Sequence, residues 1–221
     1  MPNELLHHPA ILKLAQKKGK DPHALVLDQT YHHSAILRLG SRGSGRGRPD
    51  IPHVSLLLAL GSPLNRSGGL ACYMHTRDNN IITINPKTRL PRNTDRFTSL
   101  IEQLYEEKVV PAIGQPLLSI RHGSIGDLLN DLSGEAIALT TEGPYKNSDE
   151  VAARLADLSK PILLVGGFPR GHFSKQVLSR AKESYRIHNQ SLEAWTVVAR
   201  AIYDYERAIV LRGNSAETSL M

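Results

Sequence analysis

A single cysteine, Cys72, in 221 residues excludes an internal disulfide and any cysteine-built zinc site, which fits a reducing compartment. No apolar run approaches the roughly 20 residues needed to span a bilayer. The N-terminus is punctuated by His7-His8-Pro9 and Lys17-Lys18 where a secretory leader would be apolar, so a soluble, intracellular protein with no membrane partner is expected. A G-x-G-x-x-G fingerprint is missing too, which argues against a dinucleotide seated on a helix N-terminus. Acids are scarce in one place: between Arg38 and Arg96 ten Lys or Arg face only Asp50, Asp78 and Asp95. That segment carries +7 of a total of +6, leaving the remainder about neutral. Nine of the ten are arginine, whose planar fork suits phosphates and stacked bases, so either a nucleic-acid partner or a solvated face is implied.

Along the chain, residues 1–22 carry a short helical pattern (Ile11, Leu12, Leu14, Ala15) and read as an appended helix or arm outside the core. Ala24 to Leu27 reads as a first buried strand, and Tyr31 opens a helix using Ile36, Leu37 and Leu39. His32 and His33 point about 100° apart on that helix, which suits capping or packing better than a shared metal, and no metal is expected. Gly40 to Arg48 is glycine- and arginine-rich and reads as a flexible loop, stiffening at Arg48-Pro49-Asp50, where the carboxylate lies within reach of the guanidinium. A helix is predicted over Ile51 to Leu60, paired strands over Leu70–Thr76 and Asn80–Ile84, and a helix from Thr94 to Lys108 capped by Asn93 or Thr94. Arg89, Arg92 and Arg96 form a basic ridge across the Pro91 turn and that helix start. From Leu117 onward strands and helices alternate through Ile125–Leu132, Ala136–Thr140, Ser148–Leu158 and Ile162–Val165, which predicts an α/β fold with a mainly parallel sheet. Ser148 reads as the cap of its helix, and the spacing Trp195, Val198, Ala199, Ile202, Ile209 gives a final amphipathic helix.

The run Pro161 to Val165, closed by Gly166-Gly167-Phe168-Pro169-Arg170-Gly171, reads as a fully buried strand opening into a loop. Such a loop is either a tight turn or a place where backbone closely approaches a ligand.

Taken together, Arg48-Pro49-Asp50, Ser62-Pro63-Leu64-Asn65, the ridge within Asn85 to Phe97, Gly166-Gly167-Phe168-Pro169 and Ser191-Leu192-Glu193-Ala194-Trp195 resemble the nucleolar-essential-protein family. Its members are the small-subunit rRNA pseudouridine-N1 methyltransferases of the SPOUT superfamily. The resemblance covers roughly residues 24 to 210. It implies a domain over residues 23–213 with an RNA-binding insertion at about 40–97, a C-terminal trefoil knot, a flexible tail at 214–221 and a homodimer. The implied cofactor is S-adenosylmethionine, held by Thr140, Thr141, Gly166, Gly171, His172, Phe173, Ile187, His188, Asn189, Gln190, Ser191 and Leu192. For the partner, a small-subunit rRNA hairpin, it implies Arg48, oriented by Asp50, with Arg89, Arg92 and Arg96.

The expected reaction is transfer of the sulfonium methyl group to N1 of a pseudouridine, in support of small-subunit biogenesis. Location would be cytoplasmic, or nucleolar in a eukaryote, with other ribosome-assembly proteins as further partners. No residue is assigned as catalytic; Asp50 is better placed to hold Arg48, and His172 reads either as a base or as a loop residue. The N-terminal arm and the loop at 40–47 go beyond the family pattern, as extra RNA contact or as disorder. Two other functions stay open: a non-catalytic rRNA-binding assembly factor, and a related enzyme acting on tRNA or a ribose hydroxyl.

Overall fold

The computed structural model describes the backbone of residues 1–218 and the side chains of residues 1–210. Helix α1 (Pro9–Lys18) starts with Pro9 at its first position, where the missing N–H costs nothing, and ends at Gly19 in the left-handed region (φ 61°). Ile11 and Ala15, one turn apart, pack with Leu5, Leu25, Ala35 and Leu39 in a small core of their own. The N-terminal segment is therefore a packed element, contrary to the expectation that it stands apart from the core. Its anchor is electrostatic. Lys18 Nζ lies 2.8 Å and Lys20 Nζ 3.2 Å from the carboxylate of Glu102, whose side chain is 1% exposed.

The strand expected at Ala24–Leu27 does not form. Pro22 to Ala24 make a 3-10 turn capped by the Asp21 carboxylate, and the Val26 N–H turns to Glu102 (3.4 Å), so no ladder partner remains for it. Helix α2 (Gln29–Arg38) begins two residues earlier than expected, because Asp28 caps it by accepting from the Thr30 N–H at 2.8 Å. His32 is buried and its Nδ1 accepts from the Asp28 N–H (3.0 Å), the packing role its position suggested. The Gly-Arg loop is also more ordered than its composition implies. Gly40–Gly43 form a 3-10 turn, and the Gly47 carbonyl accepts from the Gln29 N–H at 2.7 Å.

Next come α3 (Asp50–Gly61), α4 (Pro63–Arg66), β1 (Cys72–His75), β2 (Asn80–Ile84), α5 (Thr94–Glu107), β3 (Val109–Val110) and β4 (Leu118–His122). The Asn93 side chain caps α5, accepting from the Arg96 N–H. These strands form an antiparallel sheet in the order β1-β2-β4-β3. Pairing Ile82 with Ile120 and Ile84 with Leu118 puts one apolar face against Leu56 of α3 and Phe97, Ile101 and Leu104 of α5.

The rest comprises α6 (Ile125–Leu132), β5 (Glu135–Leu139), α7 (Ser148–Ala156), β6 (Pro161–Val165), α8 (Lys175–Leu178), β7 (Glu183–Tyr185) and α9 (Ala194–Thr218). Its sheet is parallel, ordered β6-β5-β7. The α/β class holds, but the expectation of one mainly parallel sheet is corrected: Leu118–His122 belongs to the antiparallel sheet. Pro161–Val165 is a half-buried edge strand, and the buried centre is β5. Ala136 packs toward Ile125, Leu128 and Leu129 of α6, while Ile137 and Leu139 face Val151 and Leu155 of α7 and Ala201 of α9, the alternation of a strand covered on both faces. Helix α7 is capped by Asn147, not Ser148: its N–H donates to Glu150 at 2.9 Å, three residues on. Helix α9 packs on both α3 and α7, and Glu206 accepts from the Leu64 N–H (2.7 Å) at the start of α4. Of the tail expected at 214–221, α9 runs on through Thr218, and residues 219–221 lie outside the described residues.

Replacing the buried Glu102 by leucine leaves two lysines without their counter-charge and should free α1. Because Lys18 and Lys20 keep about a quarter of their surface in water, the expected loss lies at the lower end of the range for broken buried pairs, about 3 kcal/mol. Urea denaturation, with trypsin cleavage appearing first at Lys17 to Lys20, checks this.

Candidate active site and nucleic-acid interface

Three parallel strands end side by side: β5 at Leu139, β6 at Val165 and β7 at Tyr185. The chain leaves the central strand for one neighbour and later returns on the other side of it, the switch point where open α/β sheets keep their ligands. Thr140 and Thr141 follow the first strand, Gly166 to Phe173 the second, Ile187 to Leu192 the third, so the expected cofactor residues converge on one edge. Thr141 Oγ1 lies 3.3 Å from His172 Nδ1, and Glu142 faces His172 Nε2 at 3.7 Å, which ties the first loop to the second. The first loop also lies on the third strand. The Thr140 N–H donates to the Tyr185 carbonyl (2.9 Å), Arg186 to Pro144 (3.0 Å) and Lys146 back to Arg186 (3.0 Å). Gly143 is required there, since a Cβ would stand 2.9 Å from Tyr185 Cα.

Phe168 leans over Gly166, its ring 2.7 Å from where a Cβ would be, and meets Phe173 edge-on at 5.7 Å. Ile187 is buried, Leu192 half-buried and His188 to Ser191 are exposed; His188 Nδ1 accepts from the Gln190 N–H at 3.1 Å. The edge is thus largely backbone and small side chains, with apolar Ile187 and Leu192 behind it.

Arg48 meets Asp50 by two parallel bonds, Nε to Oδ1 at 2.8 Å and Nη2 to Oδ2 at 2.6 Å. Pro49 makes this possible by fixing the turn that brings the carboxylate into the first turn of α3. The pair holds the Asp50 carboxyl below its ordinary value, and raises Arg48, whose field also includes Glu193 of the Ser191–Trp195 segment. A second link joins the two halves: a Cβ on Gly45 (φ +80°) would stand 3.2 Å from the Arg170 carbonyl and 3.7 Å from Phe168 Cβ. The Gly-Arg loop is packed against the glycine loop of β6. Neither Gly45 nor Glu142 was singled out from sequence; the alternating glycines of 43–47 were visible, but not what they lie against.

Much of the +7 segment is spoken for. Arg42 pairs with Glu4 (2.6 Å), Arg46 with Asp78 (3.1 Å), and Arg77 donates to the carbonyls of Arg42 and Ser44. Arg89, Arg92 and Arg96 are exposed and form no ion pair within 4 Å among the described residues. Arg38, Arg66 and Lys87 are also exposed and without an ion pair among the described residues, so the ridge holds three of the segment's six uncommitted cations.

Three parallel strand ends meeting at a switch point, with the Gly-Arg loop packed against one of their loops, define an α/β protein of the class that keeps its ligand at the carboxyl ends of its strands. The chain belongs to the EMG1/NEP1 methyltransferase family, whose model matches residues 5–206. It is 40% identical to the protein named ribosomal RNA small subunit methyltransferase Nep1 of Pyrococcus furiosus, over 95% of this chain and 92% of that one. The Nep1 of Staphylothermus marinus is also 40% identical, over 93% and 90% of the two chains. Among solved structures, the fold matches Archaeoglobus fulgidus Nep1 bound to S-adenosylhomocysteine with a TM-score of 0.81 and 31% identity, covering 95% of this chain and 93% of that one.

Because Asp50 is depressed, its ion pair is complete above the ordinary value of 3.8 and is lost only as pH falls through the lower folded value. A carboxyl-resolved NMR titration should therefore place the Asp50 midpoint below 3.8. With Arg48→Met the midpoint should rise.

Proposed function

We propose that the protein transfers the methyl group of S-adenosylmethionine to N1 of a pseudouridine in a small-subunit rRNA hairpin, and acts in small-subunit biogenesis. The observation that carries the reading is the adjacency of the two halves: Gly45 of the basic loop against Arg170 of the glycine loop, and Glu193 within the field of Arg48.

The residues fit the cofactor. Gly166 and Gly167 expose backbone at the end of β6, a Cβ at Gly166 would displace the Phe168 ring, and Ile187 and Leu192 supply an apolar wall. Thr140, Thr141, Gly166, Gly171 to Phe173 and Ile187 to Leu192 would hold it, through amides and carbonyls that read adenine without charged side chains. When bound, the cofactor would supply an already activated methyl group, with S-adenosylhomocysteine as the leaving group and the N1 proton passing to solvent. The chain's own task is to align the acceptor, keep water out and position the RNA. Arg48, fixed by Asp50, and the free ridge of Arg89, Arg92 and Arg96 would seat the phosphates and a looped-out base. The low Asp50 pKa suits ion pairing and makes it a poor acceptor for the N1 proton. The C-terminal segment threads a trefoil knot in this reading, supported by the lacing of Arg186 to the loop of Pro144 and Lys146. A homodimer completes it, supported by the exposed apolar side chains Leu58 on α3 and Tyr203, Ile209 and Val210 on α9. The setting is the cytoplasm, or the nucleolus in a eukaryote, beside other assembly proteins.

Labelled S-adenosylmethionine with paired hairpins should label the pseudouridine RNA and leave the uridine RNA blank. Binding without transfer would instead make this a non-catalytic assembly factor, and label on a ribose would refute both. Neutralising about four phosphates predicts a slope of roughly −3 to −4 in log K against log salt. Arg92→Ala should make that slope shallower by about one while cofactor affinity holds. Gly166→Leu should abolish cofactor binding in a calorimetric titration, and normal affinity there would displace the site from this loop.

A further inference from the structure

The arginine ridge crosses a turn with no ladder of its own. Asn65 Nδ2 donates to the Pro86 carbonyl (2.9 Å) and Thr88 Oγ1 to the Leu117 carbonyl (3.0 Å), which hold the turn's first half. Its second half, where Arg92 and Arg96 lie, is held by the Asn93 cap on the Arg96 N–H, by buried Leu90 and, from α3, by His53, which is 1% exposed. Its Nε2 lies 2.6 Å from the Pro91 carbonyl, its Nδ1 3.3 Å from Thr94 Oγ1, and its ring stacks on Phe97 at 4.5 Å and 17°.

A carbonyl only accepts, so Nε2 carries a proton toward Pro91, while Nδ1 and the Thr94 hydroxyl form the second bond. The Pro91 carbonyl immediately precedes Arg92. Thr94 and Phe97 lie in the first turn of α5, which carries Arg96. One imidazole thus ties the backbone before Arg92 and the start of the helix that carries Arg96 to α3. It does so from the helix whose first residue, Asp50, three positions before His53, fixes Arg48.

We infer that His53 is a positioning residue for RNA recognition, making α3 a common strut that sets Arg48 and the Arg92–Arg96 pair at a constant separation. The inference rests on the reading above that these arginines seat RNA phosphates. Long cations gain little from an ordered partner if their own backbone can turn, because binding must then supply the ordering. Removing His53 leaves the three arginines present but no longer registered with one another. They then engage phosphates one at a time, and the number held together falls.

The test is fluorescence anisotropy of a small-subunit rRNA hairpin over about 50 to 200 mM salt, with cofactor affinity measured in parallel by calorimetry. His53→Leu, which makes neither bond, should weaken RNA binding roughly tenfold or more and make the salt slope shallower by about one, with cofactor affinity unchanged. His53→Gln, whose amide nitrogen reaches the Nε2 position, should restore most of the affinity and slope. His53→Asn reaches only the Nδ1 position and should not. If the leucine variant fails to fold, the Gln and Asn pair decides alone. Equal RNA affinity and slope in Asn, Gln and wild type would overturn the inference, as would parallel loss of RNA and cofactor affinity. Wild-type protein that ignores the hairpin at every salt would overturn the functional reading itself. Failure of the strut alone looks different: wild type and Arg92→Ala behave as expected, and the His53 variants match wild type.

Discussion

Strand β5 is buried on both faces and paired on both edges, and everything at the C-terminal half of the molecule is arranged around that double burial. Alanines at 136 and 138 alternate with Ile137 and Leu139, so α6 sits close on one side while α7 and α9 meet bulkier residues on the other. A strand so enclosed cannot shift by one residue without exposing its whole inner set. Its end is therefore a fixed point, and the loops at Thr140, Gly166 and Ile187 inherit their placement from it. The loops need no rigidity of their own to start side by side, because the strands deliver them together.

The basic half depends on different physics. Ten cations in one segment would repel each other on a shared face, and the fold ties four of them into specific bonds: Arg42 to Glu4, Arg46 to Asp78, Arg48 to Asp50 and Arg77 to two carbonyls. The three ridge arginines stay uncommitted, as do Arg38, Arg66 and Lys87. Exposed pairs of this kind add little to stability, on the order of 0–1 kcal/mol each. Their effect is to set which arginines remain available.

Helices α3 and α5–α7 and five of the seven strands were legible because their periods are local: Leu100, Ile101 and Leu104 repeat at helical spacing whatever they pack against. The division into two sheets was not, since Leu118 to His122 alternates in a way that suits either kind of neighbour. Arg48 and Asp50 could be paired from sequence because only Pro49 separates them. Glu102 could not be matched with Lys18, 84 residues away, so the N-terminal helix looked like an appendage. The Gly-Arg loop was misjudged because its composition speaks for mobility while its glycines serve close approach to Arg170. The family resemblance supplied what periodicity lacks, the joining of two remote motifs into one site.

The bond from the Leu64 N–H to Glu206 closes a loop of 142 residues. During synthesis the first sheet, with its core complete by Ile120, emerges long before α9 does. At 5–20 residues per second, roughly 4–17 s separate the two. Through that interval the α3 surface that α9 will cover stays bare while its other side, bearing Asp50 and His53, is already docked. The nascent chain thus completes its first sheet before α9 can close on α3, and that late closure is the step most exposed to mispairing between neighbouring copies on one messenger.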